Sequence, residues 1–102
     1  MTTSEEKYHA SASKVEGSVS SQMFGKLCYK LNKKPFVSYF QDSMVFKLTG
    51  DIHTKALGLP GAQLFDPSGK NRPMREWVQV PIDHEAEWDG LAVAAADYVS
   101  GL

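Results

Sequence analysis

Apolar and polar residues change their spacing several times along this chain, and each change marks an element. Between Thr3 and Glu16 the apolar positions Tyr8, Ala12 and Val15 recur at helical spacing, with Thr3 placed to cap and Glu6 three residues on to complete a capping box. Gly17 is expected to stop this helix. From Lys26 the period drops to two. Leu27, Tyr29 and Leu31 alternate with Lys26, Cys28 and Lys30, as in a half-buried strand. Phe36 to Phe40 is aromatic and β-branched, and Met44, Phe46 and Leu48 alternate with Ser43, Val45 and Lys47. Short polar connections at Asn32 to Pro35 and at Gln41 to Ser43 join these three runs, which predicts an antiparallel meander.

"GDIHTKALGLPG" is punctuated as a short helix, with Asp51 as N-cap, Gly58 as a left-handed C-cap and Pro60 preventing continuation; Ile52, Ala56 and Leu57 face inward. Ala62 to Phe65 and Trp77 to Ile82 read as two more strands. On the second, Val78, Val80 and Ile82 share one face while Trp77 and Gln79 share the other. Asp83 to Val99 is the closing helix, with Trp88, Leu91, Ala92, Ala95 and Val99 in one apolar stripe. Gly90 within it costs about 1 kcal/mol relative to alanine, and a close approach of helix to sheet is the expected reason. The order α-β-β-β-α-β-β-α predicts an α+β fold: a curved five-stranded antiparallel sheet with helices on one face.

The chain of 102 residues forms one domain over 1–102, with 1–22 a helical, frayed entry segment. A hydrophobic content of 42% suffices for one core. The net charge of −1 removes any global attraction to nucleic acid or anionic membrane. The sequence has neither a secretory signal pattern nor a long apolar run, and its one cysteine suits a reducing compartment, so the cytoplasm is the expected location.

Candidate chemistry is sparse. His9, His53 and His84 fall on different elements, and "HEAEW" lacks the second histidine of a helical zinc site, so no metal is expected. Cys28 lies between Lys26 and Lys30, which would activate an exposed thiol; the alternative, favoured here, is a small buried hydrophobe. Gly69-Lys70 lacks the serine or threonine and the upstream glycine of a phosphate loop. Asp83, Glu85, Glu87 and Asp89 crowd one helix start, where the dipole favours them as a solvated face. No catalytic residue and no cofactor are expected.

"DPSG" at Asp66 to Gly69 has the make-up of a type I turn. It leaves Lys70, Arg72 and Arg75 in or beside a hairpin loop, and Lys33 and Lys34 in another. Together they are candidates for an anion or nucleic-acid contact, with a solvated turn as the favoured reading.

Met23-Phe24-Gly25, the Asn32 hairpin, "VFKL" at Val45 to Leu48, "FDPSG" at Phe65 to Gly69 and "MREWVQVP" at Met74 to Pro81 together resemble the TfoX/Sxy N-terminal domain family. The match runs from Met23 to the C-terminus. The resemblance implies a secretion-chaperone-like α+β fold, and structural roles for Gly25, Asp66, Pro67, Gly69 and Trp77. It supplies no catalytic residues. Full-length TfoX/Sxy proteins regulate natural competence and carry a second, helical domain, so this chain corresponds to the first domain alone. Asn32-Lys33 replaces the usual Asn-Gly, and because lysine is uncomfortable at positive φ a longer turn is expected. The expected function is non-enzymatic and works through protein contacts, with self-association as a homodimer. The alternative is a nucleic-acid-associated regulator using the basic loops.

Overall fold

The computed structural model describes residues 3–23, 26–66 and 74–101. In chain order these form helix α1 (Ser4–Ser13), strands β1 (Val19–Met23), β2 (Lys26–Leu31), β3 (Lys34–Phe40) and β4 (Ser43–Lys47), and helix α2 (Gly50–Leu57). Strands β5 (Gln63–Phe65) and β6 (Met74–Pro81), a 3-10 turn (Ile82–His84) and helix α3 (Glu85–Ser100) follow. The fold is α+β with an antiparallel sheet, as the pattern predicts. The sheet has six strands, however, not five: β1 precedes the predicted meander, and the strand order is β1-β2-β3-β4-β6-β5. The chain leaves β4, packs α2, lays β5 at the edge and returns through β6 between β4 and β5.

The meander is held in register by two two-residue turns. Asn32 and Lys33 both take positive φ (52° and 69°), as do Gln41 and Asp42 (46° and 59°), which is the primed geometry that matches strand twist. Lys33 therefore accepts the left-handed conformation, and the longer turn expected there is not formed. An extra residue opposite the Tyr29–Lys30 step makes a β-bulge, which brings Phe36 and Val37 both into the main core.

That core lies between one sheet face and the helices. Tyr29, Val37, Met44, Phe46, Val78 and Val80 meet Tyr8 and Ala12 of α1, Ala56 of α2 and the predicted α3 stripe, with Trp88 fully buried at its centre. Each large apolar side chain so buried contributes about 1.5–3 kcal/mol. On the opposite sheet face Val45, Phe65 and Trp77 form a second, smaller cluster against Phe40, with Phe40 and Phe65 edge to face at 5.3 Å. Trp77 is thus a core residue, but of this lesser cluster.

Several predicted boundaries are corrected. The Thr3 hydroxyl does accept from the Glu6 amide at 3.1 Å, but α1 ends at Ser13, three residues short of the predicted limit. Asp51 is not the cap of α2: Thr49 precedes the helix, and Gly50, at φ 66°, turns the chain into it. Gly58 closes α2 in a right-handed conformation, φ −78°. The strand expected from Ala62 begins at Gln63, and the strand expected from Trp77 begins three residues earlier, at Met74. Ile82 and Asp83 belong to the 3-10 turn and α3 starts at Glu85. Gly90 is exposed, and a Cβ there would meet no atom within 4 Å; it permits no close approach to the sheet.

Candidate functional site

β1 is the element that the alternation rule missed, and it forms one open edge of the sheet. Past α1, the Ser18 amide donates to the Val15 carbonyl at 3.2 Å and the Ser18 hydroxyl to the Ala12 carbonyl at 3.1 Å. Gly17 completes the reversal at φ 85°, where a Cβ would lie 3.3 Å from Leu31 Cδ1. This turn delivers "VSSQM" against β2, from Val19 opposite Lys30 to Met23 opposite Lys26. The strand carries no charge and no proline, the two devices that most simply protect an edge. No backbone hydrogen bond from a described residue reaches its outer side. Val19 is 63% exposed, the most exposed large hydrophobic side chain among the described residues.

The predicted basic residues are partly assembled. Lys33 is exposed at the β2–β3 tip and Arg75 is exposed near the start of β6. β3 and β6 flank β4, each antiparallel to it, so the starts of these two strands, with Lys34 and Arg75, lie at the same end of the sheet. The group is not purely basic: Glu76 accepts a hydrogen bond from the Tyr98 hydroxyl there, and that bond, which holds the phenolic proton, is the main cause that raises the Tyr98 pKa. Lys70 and Arg72 lie outside the described residues, as do Phe24, Gly25, Pro67 and Gly69; only the backbone of Met23 is described, and Asp66 is half-buried at the end of β5.

The three histidines are separate and engaged. His53 Nε2–H donates to the Arg75 carbonyl and His84 Nε2–H to the Pro60 carbonyl, each at 2.7 Å. His9 Nδ1 bonds the Tyr29 hydroxyl at 3.0 Å beside Tyr8. Among the described residues no three histidine, cysteine or carboxylate side chains converge as a metal site. Cys28 is fully buried; burial raises its thiol pKa, and the Lys30 charge opposes this in part. Tyr8, likewise buried, has its hydroxyl pKa pushed up mainly by desolvation.

The carboxylate cluster splits. Asp83, Glu85 and Glu87 are exposed, whereas Asp89 accepts from Ser11 Oγ at 2.6 Å and from Lys14 Nζ at 2.7 Å, fastening α3 to α1. Those hydrogen bonds, Lys14's foremost, hold the Asp89 pKa below the ordinary carboxylate value.

A cleft of about 160 Å³ opens between α2 and α3, bordered by Lys55, Glu87 and the exposed Gly90. Sequence spacing marked Gly90 as unusual but assigned it to packing; the cleft itself needs α2 and α3 side by side, which no local pattern reveals. None of the described helices is long and apolar enough to cross a membrane. No protein-family model, curated protein or solved structure matches this chain.

Proposed function

We propose that this chain is a TfoX N-terminal-like domain of secretion-chaperone-like architecture. In this reading it performs no catalysis and acts through protein contacts, pairing with a second copy of itself along β1. The family part rests on the sequence motifs. The pairing rests on one observation, the uncharged and unprotected outer edge of β1. A two-fold antiparallel pairing sets a strand against itself, so any charged residue near the axis would meet its own kind. "VSSQM" avoids this. Centred on Ser21, the pairing sets Ser20 opposite Gln22 and Val19 opposite Met23 of the second copy, and the two sheets become continuous.

Light scattering during size exclusion tests this. The wild-type chain should elute with twice the chain mass at about 100 µM, an affinity typical of a small interface. Ser20→Lys combined with Gln22→Lys, both at exposed positions, should give a folded monomer. A wild-type monomer at that concentration would end the pairing.

A second reading, phosphate contact through Lys33, Lys34, Lys70, Arg72 and Arg75, draws on the shared sheet end of Lys33, Lys34 and Arg75. It predicts oligonucleotide binding that weakens steeply with salt and drops in Arg72→Ala/Arg75→Ala; no binding at low salt would dismiss it.

A further inference from the structure

The α2–α3 cleft lies apart from the β1 edge and has a distinct chemistry. Ile52, Ala56 and Leu59 from the α2 side and Leu91 from α3 give it an apolar floor. Positions 52, 55 and 56 share one side of α2 by spacing, as do 87, 90 and 91 of α3, and Leu59 follows just past the end of α2. Its volume of about 160 Å³ is close to the ~150 Å³ that accommodates one benzene-sized group. A drug-sized molecule or cofactor needs upwards of about 300 Å³. Lys55 and Glu87 bring opposite charges to the two walls, and they are not paired with each other, since Lys14–Asp89 is the one ion pair among the described residues.

Gly90 supplies the second observation. Glycine weakens a helix interior, and here it has no packing reason: a Cβ would meet nothing within 4 Å, and its φ is not left-handed. What a side chain at this position would do is obstruct the cleft that Gly90 lines.

We propose that the cleft binds a free α-amino acid with a leucine- or phenylalanine-sized side chain. The side chain rests on the apolar floor, the carboxylate faces the Lys55 ammonium, and the α-ammonium faces the Glu87 carboxylate. Both protein charges are exposed, so each adds little, and the dissociation constant falls near the millimolar range, about 1 mM.

The test is a titration of the isotopically labelled full chain, followed by amide chemical shifts, with L-leucine, L-phenylalanine, L-leucinamide and 4-methylpentanoate. Leucine or phenylalanine should shift amides of 52–59 and 87–91 saturably. Leucinamide, lacking the carboxylate, and 4-methylpentanoate, lacking the ammonium, should each bind about fivefold more weakly. Gly90→Leu should melt cooperatively at or above the wild-type temperature and lose the shifts. If Gly90→Leu fails to fold, Lys55→Gln and Glu87→Gln carry the test, each erasing the preference for the zwitterion over one truncated ligand. The proposal is overturned by an absence of saturable shifts at about 20 mM ligand, by equal binding of all four ligands, or by undiminished binding to folded Gly90→Leu.

Discussion

Removing the Asp89 carboxylate tests how α1 is fastened to the rest of the molecule. Its two hydrogen bonds differ in worth. The Lys14 and Asp89 side chains are 61% and 42% exposed, and an ion pair in such surroundings contributes about 0.2–1 kcal/mol. Ser11, by contrast, is 1% exposed. A hydroxyl bound to a carboxylate contributes about 1.5–3 kcal/mol, and losing its acceptor leaves a buried donor orphaned. Asp89→Ala should therefore cost about 2 kcal/mol and Lys14→Ala about 0.5 kcal/mol. At about 4–8 °C per kcal/mol for a domain of this size, the first is a shift of roughly 8–16 °C. Ser11→Ala should destabilise the wild type by about 1 kcal/mol yet restore a similar amount in the Asp89→Ala background, because it removes the orphaned hydroxyl. Urea denaturation of the four chains in the Ser11–Asp89 cycle reads the coupling directly, provided the m-values agree. The pH dependence has a fixed sign. Asp89's folded pKa lies below its unfolded value of 3.8, so its contribution is complete above that value and is lost as pH falls through the folded pKa. The gap between wild type and Asp89→Ala should narrow in that acid window. Strictly additive Ser11 and Asp89 effects, or an Asp89→Ala cost under about 0.5 kcal/mol, would refute the reasoning.

Two other predictions rest on different features. Lys33→Gly should stabilise the chain by about 0.5–1 kcal/mol, because the left-handed penalty of about 1–2 kcal/mol at φ 69° exceeds glycine's extra entropy in the unfolded chain; a lowered melting temperature would show that the tip does not hold this conformation. Cys28, buried and raised in pKa, should react with a thiol reagent at pH 8 on the order of 100-fold more slowly in the native chain than in urea; comparable rates would contradict its burial.

The legible parts of the fold were those whose apolar residues repeat with the period of the element. The meander from Lys26 to Leu48 and the Trp88–Val99 stripe announce themselves through periods of two and about 3.6, because the main core takes alternate residues of a strand and one side of a helix. β1 lacks the signal: two adjacent serines and a glutamine give no contrast between its faces, and its place is set by the Gly17 reversal and the exposed β2 edge. Cap assignments failed for a related reason. Asp51 suits an N-cap by type, but Gly50's positive φ had already begun the turn, so the cap falls at Thr49 and the helix starts two residues earlier. Candidate sites were harder still. Lys33 and Arg75 are visible as charges, yet their alignment depends on β6 lying beside β4, a pairing across about thirty residues. The α2–α3 cleft likewise depends on contacts between helices that are distant in the chain.

The placement of β6 also bears on how the molecule holds together. Strands β1 to β4 follow one another in sequence, so each finds its neighbour by a nearby reversal, whereas β6 slots into an interior position and leaves β5 on the rim. Losing the C-terminal third would strip away not a border strand but an internal one, along with α3, exposing Val45 on one side of the sheet and Phe46 on the other. The core of the early part of the chain is completed only by β6 and α3, so its integrity is tied to that of the last thirty residues.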